Sequence, residues 1–168
     1  YGEIVKDSNE FFRLGWNGIV AADILRKMLL RTRPYERVRG TADGVYERSL
    51  DRIERVMETP GLGFGARRKR LVGAMEESRD EFRAIGADYV PGKPLIAVLG
   101  EIFCRMNRFA NEDMVRALEA QGAETWIADV GEWVFYTDWS RMDNMRRQGK
   151  RFSKAMAVAH IKRYIMKR

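Results

Sequence analysis

Apolar residues in the first half of the chain return at helical spacing, and after Pro91-Gly92 they gather into short continuous runs. From Asn9 to Arg31 the row Phe12, Trp16, Val20, Ile24 and Met28 repeats every fourth position. It predicts one long amphipathic helix, with Ser8 or Asn9 as its cap and Arg33-Pro34 as its end. Past a polar turn at Gly40 to Gly44, the row Tyr46, Leu50, Ile53 and Met57 predicts a second helix, closed by Pro60-Gly61. Leu71, Met75, Ser78, Phe82 and Ile85 mark a third, running to Gly86. Aromatic and Met residues at this spacing serve packing, so all three rows are read as core.

The pattern then changes. Pro94 to Gly100 encloses Leu95, Ile96, Ala97, Val98 and Leu99, the run expected of a strand buried on both faces. Asn111 is placed to cap a following helix whose positive end suits Glu112 and Asp113, whose stripe is Met114, Val115 and Leu118, and which Gly122 stops. Trp126, Ile127, Ala128 and Val130 make a second strand, so the segment spells a βαβ unit with a right-handed crossover. The aromatic-rich stretch from Trp133 to Trp139 opens a further helix, and a last one is expected over Phe152 to Met166. The fold class expected is therefore α/β. A helical segment, residues 1–90, packs on a partial parallel Rossmann-like sheet in residues 91–168, which also carry the C-terminal helix.

Parallel strands send both of their exits to one side of a sheet, where open α/β folds take ligands. Glu101, Arg105, Asn107 and Asn111 from the first exit, with Glu132 and Tyr136 from the second, are the candidate ligand-lining residues. Each also has a structural reading: Glu101 pairs with Arg105, Asn111 caps a helix, and Glu132 sits at a helix N-terminus. None is assigned a catalytic role.

A length of 168 residues with 45% hydrophobic content supports a sizeable core. The net charge of +7 raises a nucleic-acid reading, sharpened by Arg67-Arg68-Lys69-Arg70 and by the bases from Arg146 to Arg151. Yet 24 acidic residues are mixed among the 31 basic ones, and no helix-turn-helix, zinc-finger or aromatic RNA-binding signature accompanies them. A solvated surface is the simpler reading, and a phosphate-rich ligand such as coenzyme A tolerates the same field. Gly61-Leu-Gly-Phe-Gly-Ala66 has the letters of a dinucleotide fingerprint, but it follows a helix where the fingerprint needs a strand. His160, the only histidine, has no neighbours at zinc-ligand spacing, so no metal site is expected. The single Cys104 is read as a buried small hydrophobe; it allows no disulfide framework, which is compatible with the cytoplasm. No apolar run reaches the length of a membrane span.

The wording around the two exits resembles the large acyl-CoA dehydratase activase-related proteins, relatives of the 2-hydroxyacyl-CoA dehydratase activators, in their dehydratase-subunit-like portion. The residues concerned are Gly100, Glu101, Ile102, Phe103, Arg105, Asn107, Asn111, Leu118, Glu119, Glu132, Trp133 and Tyr136. Upstream, Trp16, Asp23, Leu25, Arg33, Pro34, Tyr35 and Glu36 extend the likeness over most of the chain. The resemblance implies a cytoplasmic system in which an ATPase module of the actin-like superfold feeds low-potential electrons to a dehydratase-like module holding an iron–sulfur cluster. Cluster ligation takes several thiolates and this chain has one, so cluster and ATP are implied for a parent protein and no cofactor is expected in the chain itself. The chain opens at Tyr1 without Met and closes on a basic tail, Ile161 to Arg168; it is expected to be one inactive fragment of a larger multidomain protein. Its expected partners are the remainder of that protein or a second copy, since a two-strand parallel sheet is hard to bury alone, with acyl-CoA or a redox protein beyond them. The rival functions are a non-catalytic nucleotide- or CoA-binding module and, third, a basic nucleic-acid-binding domain.

Overall fold

The computed structural model describes residues 2–149, 156–158 and 160–161, the side chains of residues 2–9 excepted. In chain order come α1 (Gly2–Thr32), a 3-10 turn (Arg33–Tyr35), α2 (Thr41–Glu58), α3 (Phe64–Ala84), β1 (Leu95–Val98), α4 (Ile102–Met106), α5 (Met114–Ala120), β2 (Glu124–Ile127) and α6 (Val130–Arg147). This is an α/β chain, mostly helical, with a small parallel sheet. It forms two compact units, Tyr1–Ala128 and Asp129–Arg168.

In the first unit, α1, α2 and α3 share one core. Ala21, Leu25 and Leu29 of α1 meet Ala42, Val45 and Ile53 of α2 and Leu71 and Phe82 of α3. The α1 contact row is not the one its fourfold repeat predicts: Phe12 is 72% and Ile24 41% exposed. A four-residue step overshoots a helical turn by about 40°, so a row of such steps winds across the helix and leaves the contact face. The helix also begins at Gly2, which puts Ser8 and Asn9 inside it and not at its cap. Ser49 and Ser78 are fully buried in the α2–α3 contact. Their hydroxyls donate to the carbonyls of Val45 at 2.7 Å and Ala74 at 2.8 Å, four residues back, which removes the penalty of burying them bare. Arg52 then joins the helices by donating to Ser78 Oγ at 2.9 Å and to Glu81.

At the end of α1 the chain turns through Arg33–Tyr35, as its Pro requires. The Glu36 carboxylate accepts the N–H groups of Gly40 at 2.8 Å and Ala42 at 2.7 Å, and so caps α2 from outside the helix. β1 and β2 pair in parallel, Leu95 opposite Glu124 through Val98 opposite Ile127, with α5 in the connection. Val98 and Ile127 pack on Leu30 of α1, and Met106, Val115 and Leu118 close around them. The other side of β1 is bare, contrary to the expectation of a strand buried on both faces: Leu95 is 62% and Leu99 71% exposed. Alternation puts Leu95, Ala97 and Leu99 on one face, and the packing of α1 and α5 reaches the opposite one, where Val98 lies.

Two ion-paired latches tie α1 to this βαβ unit. The Arg33 fork binds Glu119 of α5 through Nε–Oε2 at 2.8 Å and Nη2–Oε1 at 2.9 Å, with both side chains only 8% exposed. Its third nitrogen, Nη1, reaches Asp43 of α2 at 3.1 Å. Beside it, Arg31 Nη1 lies 2.7 Å from both oxygens of Glu124, the first residue of β2, and the Tyr35 hydroxyl donates to the same carboxylate at 2.7 Å. That bond, then burial, raises the Tyr35 pKa above its ordinary value.

In the second unit, Glu132 reaches back to the Asp129 N–H at 3.3 Å, one half of a capping box at the start of α6. Met142 and Met145 of α6 pack with Met156. Of the helix expected over Phe152 to Met166, residues 156–158 and 160–161 are helical and the rest lies outside the described residues. Among the described residues no helix is long and apolar enough to cross a membrane.

Removing one partner of a buried pair strands the other. Glu119→Ala is expected to lower the unfolding free energy by about 3 kcal/mol or more, and the double change Arg33→Met with Glu119→Leu to recover most of that loss. Chemical denaturation of the three proteins measures both effects.

Candidate functional site

Gly100, at φ +134°, turns the chain out of β1 through a conformation that only glycine adopts readily. Glu101 caps α4, its Oε2 accepting the Cys104 N–H at 3.0 Å. The N–H groups of Cys104 and then Phe103 hold its carboxyl below the usual carboxylate range. Arg105 is buried and its Nη1 donates to the Gly100 carbonyl at 2.6 Å, folding α4 back on the strand end. Asn107 Oδ1 accepts from the N–H groups of Phe109 at 3.0 Å and Ala110 at 3.2 Å, an Asx turn. Asn111 Nδ2 donates to the carbonyls of Cys104 at 3.0 Å and Arg105 at 3.1 Å, while its Oδ1 takes the Met114 N–H at 3.4 Å. It therefore pins the end of α4 as well as the start of α5.

The next two residues, Glu112 at φ +53° and Asp113 at φ +52°, are left-handed without being glycine. Each such residue costs about 1–2 kcal/mol. Arg108 holds the strained corner, bonding Asp113 through Nη2 at 2.6 Å and Nε at 3.1 Å. That contact keeps the Asp113 carboxyl below its ordinary pKa and the Arg108 guanidinium above its own.

Between this segment, the second half of α1 and the start of α2 lies a cleft of about 200 Å³. Leu29, Leu30, Tyr46, Val115 and Ile127 give it apolar walls. Ile127 ends β2, so the cleft stands at the carboxyl end of the sheet, the side on which open α/β folds take ligands. Five arginines line it, Arg26, Arg33, Arg105, Arg108 and Arg116, against three carboxylates, Asp43, Glu47 and Asp113. Asp43 is shared, at 3.1 Å from Arg33 Nη1 and 2.7 Å from Arg116 Nη2. Burial pushes the Asp43 pKa up, but the bonds from Arg116 and Arg33 outweigh it and the net shift is downward. Arg26 Nη1 meets only the Met106 thioether, at 2.7 Å, and among the described residues no carboxylate pairs with it. A thioether is a weak acceptor that neutralises no charge.

Of the residues expected from sequence, Arg105 and Asn111 line this cleft, whereas Glu101 and Asn107 serve the backbone of the loop. Glu132 and Tyr136 belong to the second unit, where Glu132 caps α6 and the exposed Tyr136 ring lies 6.4 Å from that of Trp139. Cys104, expected to be buried, is exposed, because α4 is a single short turn with its outer side in solvent. Arg26, Arg108, Arg116 and Asp43 were not anticipated. The available signal was three arginines, Arg105, Arg108 and Arg116, within a twelve-residue span after β1.

Compared with family models, curated proteins and solved structures, the chain matches none. Among the described residues no group of three or more His, Cys, Asp and Glu is placed to hold a metal ion.

The depressed Asp43 pKa means that its pairing stabilises the fold fully above the unfolded value, about 3.9, and that this contribution is lost as pH falls through the folded value. Asp43→Asn is thus expected to melt lower at neutral pH and to lose less stability than the parent chain below about pH 4, as thermal unfolding across that range records. Asn111→Ala is expected to speed hydrogen exchange across residues 101–113 while leaving α1 to α3 protected.

Proposed function

We propose that the chain is a module of a CoA-substrate-specific enzyme activase-related protein, built on a Rossmann-like fold and working in the cytoplasm. It takes part in ATP-coupled low-potential electron transfer to a 2-hydroxyacyl-CoA dehydratase system, or in the dehydratase-like part of that system. One observation carries this reading. The run Gly100 to Asn111, which resembles that family, forms the segment leaving β1 beside an arginine-lined cleft at the carboxyl end of a parallel sheet.

The residues present do not fit an iron–sulfur cluster, because the chain has one cysteine and cluster ligation takes several. They do not fit a phosphate-cradling loop either, since Gly61 and Gly63 lie between α2 and α3 and follow no strand. Cluster and ATP therefore belong to other parts of the parent protein. What this chain supplies is a rigid three-helix support and a positive cleft, with Asn111 and Arg105 holding the loop that walls it.

The second reading, a non-catalytic CoA- or nucleotide-binding module, is favoured by the same arginines. A nucleic-acid role ranks third, because exposed bases such as Arg37, Arg79 and Arg147 are paired with Asp88, Asp80 and Asp143.

Anaerobic assay of the parent protein separates the first two. ATP-stimulated reduction of a low-potential dye is the expected result. Its absence, with calorimetric binding of free CoA or ATP to this chain, leaves the second reading standing alone.

A further inference from the structure

We infer that the cleft at the carboxyl end of the sheet is a binding site for a small phosphate monoester, a molecule well below a nucleotide in size. The inference rests on the charge, shape and position of the cleft and does not depend on the family reading.

The charge argument comes first. Guanidinium groups gathered in a half-enclosed space repel one another more strongly than they would in open water. Here the lining carboxylates leave that repulsion incompletely offset. Arg33 is held by Glu119, Arg116 by Asp43 and Arg108 by Asp113, and Arg26 alone of these four rests against a sulfur atom with no carboxylate among the described residues. A bound anion supplies the missing negative charge.

Phosphate suits this arrangement better than carboxylate. Arg26 comes from α1, Arg108 from the loop after β1 and Arg116 from α5, so the donors approach from different directions. A carboxylate offers two oxygens along one edge and a single charge. A phosphate monoester offers three acceptor oxygens and roughly −1.5 to −2 charge at neutral pH, and guanidinium forks match pairs of those oxygens.

Size and lining fix the rest of the molecule. A cleft of about 200 Å³ is smaller than the roughly 300–1,000 Å³ pockets that enclose drug-sized ligands, so it cannot swallow a nucleotide or coenzyme A whole. Leu29, Leu30 and Ile127 leave room beside the arginines for a short apolar body attached to the phosphate.

The test is calorimetry on the chain with phenyl phosphate, inorganic phosphate and benzoate, alongside methyl spectra that follow Ile127 and Val115. Phenyl phosphate is expected to bind at one site and to shift both methyl signals. It should bind more tightly than inorganic phosphate, which lacks the apolar body, and about tenfold more tightly than benzoate. Arg26→Gln and Arg108→Gln should each weaken it by about tenfold. Arg79→Gln, on the exposed side of α3, should change it by less than about twofold. Circular dichroism confirms that each variant is folded, and the ligand comparison on the unmodified chain decides the matter even if a variant is not. Benzoate binding as tightly as phenyl phosphate, unmoved Ile127 and Val115 signals, or full affinity in the folded Arg26 and Arg108 variants would each overturn the assignment.

Discussion

The two-pronged contact between Arg33 and Glu119 is the constraint on which the rest of the first unit depends. Both side chains are nearly closed off from water, and taking such ions out of solvent costs roughly several kcal/mol apiece. The expense is met only if α1, α5 and the turn between α1 and α2 hold fixed positions, because a fork of two parallel bonds tolerates little displacement. The pair therefore does more to select one arrangement than to add net stability. Arg31, Tyr35 and Glu124 repeat the arrangement one strand away, and between them the latches set the parallel sheet against the end of a long helix.

A consequence of this latch is the cleft itself. Arg33 spends two of its nitrogens on Glu119 and one on Asp43, which must also serve Arg116. The chain leaving β1 brings Arg105 and Arg108 to the same place, Arg108 with Asp113 as its partner. The same loop carries a strained corner at Glu112 and Asp113, kept in shape by Arg108 and by the Asn111 amide. Arginine side chains and backbone strain thus meet on one wall of the cleft, and strained backbone of this kind clusters at sites shaped in advance.

Several residues on which the proposed family reading rests have clear structural employment. Glu36 caps α2, Glu101 caps α4, Glu132 caps α6, and Arg33, Tyr35 and Glu119 sit in the latches. Glu132 was legible beforehand as a carboxylate at a helix N-terminus, whereas Glu101 was expected to pair with Arg105 and instead caps α4 while Arg105 bonds the Gly100 carbonyl. The long-range partners were not legible: Arg33 meets Glu119 across 86 positions and Arg31 meets Glu124 across 93. Arg105 and Asn111 were anticipated at a ligand-facing edge and do line the cleft, while Arg26, on a helix far upstream, had no local feature to mark it.

What the sequence determined by itself was local: three amphipathic helices, a glycine-ended βαβ unit, the Arg33-Pro34 stop and the change from helical to strand spacing after Pro91-Gly92. Each follows from backbone preference and side-chain periodicity over a few turns. Tertiary structure decided which face of α1 is buried, since the winding fourfold row did not contain the answer, and which face of β1 stays open. It also decided the site. A cleft is made by surfaces that meet only after folding, and whether an arginine there is neutralised depends on carboxylates brought from elsewhere in the chain.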